Sequence, residues 1–503
     1  MKKSAEKSFS QQFIVVMLTC FALLSVSFLS IAIPSSYAVS NGSKTLVVPT
    51  QYPTIQSAIN AAKAGDTVKV LPGTYTEQLS IKKSITLLGS GVESTTINVP
   101  EKLVQSASGF WGVHAFGGAN VTISGFTFSS PSKPFLPTCL TILCATIGVD
   151  AGTTLYLSSS LVGYTFLIQG LFVGVFNPQS VAHALVRSVD FVVPPALAGG
   201  NTSYFGIYVA DGTLQLSDSR IVSQPTFHGD SAGIFLDTGS TASILHNTII
   251  GGVPIAVCYN GGACNGVNVR ADISYNTIMP TGLSPFGKCG CAALAGISIG
   301  YSSKVKITYN NIIGGLNVLN GIQVFASNNA SDPTVAEISH NTISNILCTN
   351  IQSRPAGFCG LNFFTQGQAL GINVDPQLFA KSAGVYPQTT RNAISITDNE
   401  IEDTDVGVAL YGVENCCTVS NNIIVQSTDY GIAAADGNYT LSNNTVIGGK
   451  YGVSAIAGFG TLLGEGASNT TLALVKTTIL GTSIARTYIQ TISPFTAKVV
   501  FKK

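Results

Sequence analysis

The sequence predicts an all-β solenoid, the single-stranded parallel β-helix, from two interleaved repeats and the distance between their copies. One repeat reads aliphatic, Ser/Thr (once Leu), any residue, Asn, any residue, aliphatic; its asparagines are Asn247, Asn276, Asn310, Asn341, Asn399, Asn422 and Asn444. The other reads Gly, Ile or Val, any residue, aliphatic or Ala; it begins at Gly206, Gly233, Gly266, Gly296, Gly321, Gly371, Gly407, Gly431 and Gly452. Periods of roughly 20 to 50 residues are typical of solenoids, and short alternating runs rich in Ile, Val and Thr are typical of strands.

A bend is predicted inside each Asn repeat. Its two aliphatic residues are an odd number of positions apart, which would put them on opposite faces of an undisturbed strand. Asn tolerates the left-handed conformation that such a bend needs, and stacked Asn side chains can satisfy one another's amides. We therefore predict an internal Asn line beside an internal Ile stack, whose first members are Asn247, Asn276, Asn310 and Asn341, and Ile249, Ile278, Ile312 and Ile343. The double-length step from Asn341 to Asn399 is expected to hide one more coil.

The composition fits one long domain with little charge. A solenoid of 503 residues need not split, because each coil packs only on its neighbours. Charged residues make up 10% of the chain and the formal net charge is +1. A basic surface for nucleic acid is not supported, so no nucleic-acid partner is expected.

Residues 1–38 have the pattern of a signal peptide. Lys2, Lys3 and Lys7 form a basic start, residues 13–33 an apolar core, and Ser-Tyr-Ala at 36–38 a cleavage site. The apolar run is also long enough for an uncleaved anchor. Either reading predicts a secreted or cell-surface protein.

Ten cysteines remain after the signal, an even number in an exported chain. The predicted local disulfides are Cys139–Cys144, Cys258–Cys264 and Cys348–Cys359. A metal site is the alternative, but the matched CxxC pairs typical of zinc sites are missing, and neither a metal nor another cofactor is expected. Seven Asn-x-Ser/Thr sequons would accept glycans in a host that glycosylates exported proteins.

The two ends of the predicted β-helix, residues 39–480, differ. Residues 46–100 are expected to form the N-terminal cap, with a helix that begins at the N-cap Thr54 and ends at Gly65. Its apolar stripe, Ile55, Ala58, Ile59 and Ala62, would cover the open end of the first coil. Residues 481–503 alternate like edge strands and are predicted to form the other cap.

Several motifs lie between Tyr52 and Ile97. They are Ile-Gln-x-Ala-Ile in the helix, Gly-Asp-Thr-Val at 65–68, Pro-Gly-Thr-Tyr at 72–75 and the strand at Ile85. This stretch resembles the opening of the pectin-lyase-like superfamily, which includes pectinesterases and many right-handed β-helix repeat proteins. The later coils are similar to periplasmic copper-accessory and carbohydrate-binding β-helix families, and the two matches cover most of residues 46–480. The resemblance implies a right-handed β-helix and leaves the activity open, and no His-x-His pair supports copper.

The signatures of β-helix enzymes are missing from the sequence. The Asn-Thr strings continue with Ile or Val where a polygalacturonase-like site has Asp, and the Gln-Asp and Asp-Phe-x-x-Gly strands of a pectinesterase do not occur. Arg187 and Arg220, near Asp190 and Asp218, are candidates for a lyase base, with exposed surface pairs as the simpler interpretation. No catalytic residue is assigned.

One acidic segment departs from the scarcity of charge. Its carboxylates are candidates for Ca²⁺ binding or acid–base chemistry, and they are Asp398, Glu400, Glu402, Asp403 and Asp405. A solvated turn is the alternative, because neighbouring residues occupy ordinary repeat positions. Asp150, Asp211, Asp237 and Asp436 precede glycines and are interpreted as turn residues.

A row of rings is predicted on the solenoid flank. His246 and His340 share one repeat position with Tyr275 and Tyr309, so stacked coils would align them about 4.8 Å apart. Such a row suits an extended sugar chain and equally suits simple packing. Tyr275, Tyr309 and His340 are the candidate glycan-binding residues.

The predicted function is a secreted or cell-surface β-helix that binds polysaccharide or cell-envelope glycan, or is a structural and adhesive element of the envelope, without turnover. The alternative is a polysaccharide lyase or glycoside hydrolase acting on a uronate-containing polymer. Carboxylates and an Arg or Lys that converge in one groove would favour the enzyme. Aromatic or Asn/Thr ladders alone would favour binding.

Overall fold

The computed structural model describes residues 42–129, 144–164, 169–174, 180–192, 205–223, 232–258, 269–281, 295–300, 302–315, 318–327, 333–347, 368–376, 392–413, 416–459, 461 and 468–502. The predicted signal peptide lies outside them. Within these ranges, no helix is long and apolar enough to span a bilayer. The described strands form two sheets, of 28 and 14 strands, called sheet A and sheet B below.

Sheet A contributes two runs of strand to most coils, on either side of a corner. The strands before the corner, including two that run through it (β11 and β13), are β1 (Thr45–Val48), β2 (Thr67–Val70), β5 (Thr86–Leu88), β8 (Asn120–Ser124), β11 (Thr154–Gly163), β13 (Ala182–Val192), β15 (Gly212–Ser217), β18 (Thr241–Leu245), β21 (Arg270–Ser274), β24 (Lys304–Thr308), β27 (Val335–Ser339), β30 (Ala393–Thr397), β33 (Cys417–Ser420), β36 (Gly437–Ser442), β39 (Thr470–Val475) and β42 (Ala497–Lys502). Those after the corner are β3 (Gly73–Thr76), β6 (Thr95–Asn98), β9 (Thr127–Ser129), β16 (Arg220–Val222), β19 (Thr248–Gly251), β22 (Thr277–Pro280), β25 (Asn311–Ile313), β28 (Thr342–Ile346), β31 (Glu400–Thr404), β34 (Ile423–Val425), β37 (Thr445–Ile447) and β40 (Thr478–Leu480).

Sheet B contains the Gly repeats and contributes one strand to each coil. Its strands are β4 (Leu79–Ile81), β7 (Phe110–Ala115), β10 (Cys144–Val149), β12 (Gln169–Gly174), β14 (Phe205–Ala210), β17 (Ala232–Leu236), β20 (Ile255–Val257), β23 (Ile297–Ile299), β26 (Asn320–Ala326), β29 (Leu370–Pro376), β32 (Val406–Tyr411), β35 (Tyr430–Ala435), β38 (Tyr451–Ala457) and β41 (Ala485–Thr491). Strands β21, β22 and β23 pair in parallel with β24, β25 and β26 of the next coil. The predicted right-handed parallel β-helix is confirmed.

The predicted internal columns are confirmed. Ile249, Ile278, Ile312 and Ile343 are register partners and have no exposed surface. In the Asn line, the backbone N–H and Nδ2 of each Asn donate to Oδ1 of the next, from Asn247 through to Asn444, at 2.9–3.0 Å. This line satisfies buried backbone donors at the corner of each coil.

The bend is placed one residue earlier than predicted. The residue before the Asn, or its equivalent in earlier and later coils, takes the left-handed conformation with φ between 46° and 59°, at Ser159, Ser188, Asp218, His246, Tyr275, Tyr309, His340, Asp398, Asn421, Asn443 and Lys476. The prediction that Asn itself takes this conformation is wrong. The Asn side chain must point inward to join the line, so the preceding residue makes the turn and points outward.

No extra coil lies between Asn341 and Asn399. Asn341 N–H donates directly to Asn399 Oδ1 at 3.0 Å, and β27 and β28 pair with β30 and β31. The prediction of a hidden coil is therefore wrong. The additional residues belong to the connections 348–367 and 377–391, which lie outside the described residues.

The glycine of each Gly repeat makes room for the Ile stack. A Cβ at Gly407 would lie 2.5 Å from Ile424 Cγ2 and 2.6 Å from the backbone oxygen of Gly431. The same arrangement recurs at Gly321, whose Cβ would meet Ile343 Cγ2 at 2.7 Å. The two repeats therefore fit each other across the core.

The predicted helix is α1, Ile55–Ala61, and Thr54 is its N-cap. It ends at Ala61, four residues before the predicted Gly65 boundary, since Ala62 is already extended. Glu77 accepts from the N–H groups of Ile55 and Gln56 at 2.9 Å, which places a negative charge at the positive end of the helix dipole. Buried Ile55, Ala58 and Ile59 pack on the core of the first coils.

The Asp66 carboxylate links the segments before and after α1 by hydrogen bonds, and its contribution to stability depends on pH. The N–H groups of Lys44 and Lys63 each donate to its carboxylate at 2.8 Å and hold the pKa of Asp66 below its ordinary value. A lowered pKa stabilises the fold above the ordinary Asp range, and this contribution is lost as the pH falls through the folded-state pKa. We expect Asp66→Asn to lower the free energy of unfolding at neutral pH and less so in acid, as measured by urea unfolding. An equal loss at both pH values would contradict this.

The cysteines follow the predictions only in part. Cys144 is buried and disulfide-bonded, and its predicted partner Cys139 lies outside the described residues, as do Cys264, Cys348 and Cys359. Cys258 is a free thiol, so the predicted Cys258–Cys264 bond is wrong. Its backbone turns at φ 54°, and its side chain packs in the main core. The adjacent Cys416 and Cys417 are joined to each other.

Candidate functional site

The predicted row of rings is a stacked column on one corner of the solenoid. The ring centroids of His246 and Tyr275 are 5.2 Å apart, those of Tyr275 and Tyr309 4.9 Å, and those of Tyr309 and His340 4.7 Å. All four residues occupy the left-handed corner position, which directs each side chain outward while the following Asn points inward. Four neighbouring coils thus build one continuous aromatic column.

The stacking decides which parts of the rings a ligand can reach. The rings of Tyr275 and Tyr309 are nearly parallel, with an interplanar angle of 2°, and the two residues are 51% and 47% exposed. Each of these rings is covered on both faces by its neighbours, so a ligand meets ring edges and phenol hydroxyls. The hydroxyls can donate and accept hydrogen bonds.

Two further rows, which the sequence analysis missed, flank the aromatic column. On one side the register aligns Thr248, Thr277, Asn311 and Thr342, all half-buried or exposed. On the other side it aligns the exposed Asp272, Lys306 and Glu337. Their signal was present in the sequence, because each row occupies one repeat position.

The charged row does not meet the criterion set for an enzyme. Asp272, Lys306 and Glu337 stand on an open strand face rather than converging in a groove, and solvent screens such charges. The lyase candidate Arg187 is likewise an exposed surface residue. Its Nε lies 3.0 Å from Asp218 Oδ2, with 74% and 41% of the two side chains exposed.

The acidic segment is not brought together as a metal site. Glu400 and Glu402 lie on the exposed face of β31, and Asp398 occupies the corner position. Asp405 is buried, and its carboxylate accepts from Ala369 N–H at 2.8 Å and Thr428 Oγ1 at 2.7 Å. Within the described ranges, no group of three or more His, Cys, Asp or Glu residues is arranged to hold a metal. Glu400 and Glu402 share the outer face of β31, whereas the Asp405 carboxylate is held in the interior by its hydrogen bonds.

A sequence profile described as "Periplasmic copper-binding protein (NosD)" matches residues 363–458, which contain β29 to β38. The match covers coils with the stacked Asn line, a parallel sheet A and a Gly-repeat sheet B. These coils belong to the parallel β-helix described above. None of the curated proteins compared with the chain matches it in sequence.

Solved structures similar to this chain include the following three. The Dettilon tailspike protein has a TM-score of 0.46 and 12% identity, over 74% of this chain and 62% of that one. The Agl-KA catalytic domain has a TM-score of 0.41 and 15% identity, over 88% and 64%. The Azotobacter vinelandii mannuronan C-5 epimerase AlgE6 A-module has a TM-score of 0.28 and 12% identity, over 89% and 94%. This chain spans less than two thirds of the first two proteins, and similarities this low transfer no function.

The residues of the matched segment do not fit the copper named by the matching profile. The matched segment 363–458 contains no His and no Met, and its two cysteines are bonded to each other. Copper sites in proteins use imidazole, thiolate and thioether ligands. The proposed function therefore does not involve copper.

One pair of carboxyl groups was interpreted from sequence as turn residues only. Asp211 follows β14 and Asp237 follows the neighbouring strand β17. Burial raises the pKa of Asp211, and the negative charge of Asp237 raises it further. The Tyr208 hydroxyl donates to the Asp237 carboxylate. A carboxyl group with a raised pKa beside a second carboxylate is a pattern also seen in acid–base catalysis.

Proposed function

We propose that the chain is an extracytoplasmic β-helix protein that binds an extended glycan along the aromatic column, without cleaving it. The observation that carries this proposal is the exposed column of four rings on adjacent coils, His246, Tyr275, Tyr309 and His340. The Thr and Asn side chains of the adjacent row add hydrogen-bonding groups along the same line. The protein would thereby serve as a binding or adhesive element of the cell envelope.

The geometry favours a polymer over a small ligand. Contacts repeat once per coil, about 4.8 Å apart, so a longer chain makes more of them. Each contact is an edge or a hydroxyl interaction, which is weaker than stacking on an open ring face. Affinity is therefore expected to rise with glycan length, as for other multivalent binding.

Two observations support a location outside the cytoplasm. The N-terminal segment has the pattern of an export signal. The family whose profile matches residues 363–458 is described as periplasmic. Both support a site outside the cytoplasm, where glycans of the envelope are accessible.

The test compares wild-type protein with Tyr275→Ala/Tyr309→Ala in binding to immobilised neutral and uronate-containing polysaccharides. We expect the double variant to bind at least about tenfold more weakly, because it loses two hydroxyls and two ring edges. Tyr156→Ala is the matched control, since Tyr156 is 44% exposed on β11 and lies outside the column. Binding by the double variant equal to that of the wild type would contradict the proposal.

The alternative, a glycoside hydrolase or lyase, is favoured by one observation, the Asp211 and Asp237 pair. In an inverting hydrolase one carboxyl group donates a proton while another activates water. The same incubations should therefore be assayed for new reducing and unsaturated ends. If the wild type released such sugar ends and Asp211→Asn abolished their release, the chain would be an enzyme and the binding proposal would be wrong.

A further inference from the structure

Apart from the terminal strand β41, the outer face of sheet B is largely buried, and its chemical character changes along the solenoid. Its N-terminal part is apolar, with Trp111 stacked on Phe172 at 5.3 Å and Tyr208 stacked on Phe235 at 5.2 Å. Its C-terminal part is a second apolar cluster that includes Tyr411. Between the two lies a polar row on three consecutive strands, β23, β26 and β29.

The polar row consists of Ser298, Gln323 and Asn373, which are register partners. They are 0%, 6% and 1% exposed. Each alternates with core residues, as Ser298 does with Ile297 and Ile299, so each faces away from the core. The row is therefore a buried polar strip on the outside of the coil wall.

A hydrogen-bond network holds part of this strip in place. Asn373 Nδ2 donates to Gln323 Oε1 at 2.9 Å and to Asp375 Oδ2 at 3.1 Å. Gln323 Nε2 donates to the same Asp375 oxygen at 2.9 Å. The two amides are consequently oriented before any ligand arrives.

Two atoms of the strip are not used by this network. Ser298 Oγ and Asn373 Oδ1 are buried and have no hydrogen-bond partner in the structure, whose described ranges include both residues. Buried polar atoms rarely lack a hydrogen-bond partner, because such an atom loses its hydrogen bonds to water and gains none in return. Asn373 Oδ1 requires a donor, and Ser298 can both donate and accept. Hydroxyl groups meet both requirements.

We propose that the strip of Ser298, Gln323 and Asn373 is a second binding site, distinct from the aromatic column, which takes a neutral, hydroxyl-rich ligand such as a short oligosaccharide. The ligand class rests on the proposed glycan-binding function. The strip spans three coils, roughly 10 Å, which suits an elongated ligand. The Asp375 carboxylate inside the network disfavours an anionic sugar. Apolar clusters on both sides exclude water from the ends of the strip.

The test is calorimetric titration of the full exported chain with maltotriose, cellotriose and trigalacturonate. We expect at least one neutral trisaccharide to bind about tenfold or more tightly than trigalacturonate, and Ser298→Ala to weaken that binding about tenfold. Ser454→Ala is the matched control. Ser454 is in the same row on β38, is fully buried and has an unpartnered Oγ, but its row neighbours are Ala433 and Tyr488. It should leave the affinity unchanged, and both alanine variants should fold with unfolding midpoints at or above that of the wild type.

The outcomes separate this site from the aromatic column. Binding that survives Tyr275→Ala/Tyr309→Ala and is weakened by Ser298→Ala supports the strip as an independent site. Binding that is lost in the double variant and unchanged in Ser298→Ala overturns the strip and leaves the column proposal standing. Binding of neither neutral trisaccharide also overturns the strip, since its polar atoms would then be served by water alone.

Discussion

Asn310→Leu is expected to lower the free energy of unfolding by about 3 kcal/mol or more, because it leaves several buried polar groups without partners. Asn310 is 2% exposed, and its Oδ1 accepts from the N–H and the Nδ2 of Asn276 at 3.0 Å. Its Nδ2 donates to Ile273 O at 2.8 Å and to Asn341 Oδ1 at 3.0 Å. Leucine can replace none of these bonds. Urea unfolding of the purified chain measures the loss.

The neighbouring residue provides the control for this substitution. Asn311 is exposed on β25, so Asn311→Leu makes the same chemical change without removing a member of the Asn line. Its free energy of unfolding should remain within about 0.5 kcal/mol of the wild type, as for most surface substitutions. Equal effects of the two substitutions would show that the line contributes nothing specific to stability.

Gly407→Ala is expected to destabilise the chain by about 1–3 kcal/mol through overpacking. The new methyl group would lie 2.5 Å from Ile424 Cγ2 and 2.6 Å from the oxygen of Gly431. That oxygen belongs to the sheet B backbone, so it cannot move aside as the end of a flexible side chain can. Thermal or urea unfolding would detect the change.

Gly118→Ala is the control for this prediction, because it introduces backbone strain without steric crowding. Gly118 has φ +75°, but a Cβ there would meet nothing within 4 Å. Gly118→Ala should therefore lower the free energy of unfolding by only about 1–2 kcal/mol, which is the cost of placing a non-glycine residue in the left-handed conformation. A Gly407→Ala variant as stable as the wild type would mean that the Gly and Asn repeats are not coupled through the core.

The same corner that stabilises the coil also presents the candidate site. Because the Asn side chain is committed to the internal line, the residue before it must turn outward in the left-handed conformation. That position is free to vary, and on four consecutive coils it carries His or Tyr. The scaffold and the candidate site therefore use adjacent residues of one repeat.

The repeats in the sequence were sufficient to predict the fold. The spacing of the Asn and Gly repeats indicates where each strand lies and which residues point into the core of every coil. The Ile stack and the Asn line could therefore be predicted from the sequence alone. The helix cap at Thr54 could be predicted from its local sequence in the same way. The ring column could also be predicted, because equal repeat positions become neighbours when coils stack.

Only the tertiary structure decided features that depend on which coils are neighbours and on where side chains point. It showed that Asn341 and Asn399 are in adjacent coils despite their long separation, that Cys258 points into the core, and that the rings cover one another's faces. It also aligned Ser298, Gln323 and Asn373, which occur in three separate Gly repeats. The physical reason is that repeat patterns encode the local bend and the inward or outward direction of a residue, whereas hydrogen-bond satisfaction and ring contacts arise between coils and depend on the final register.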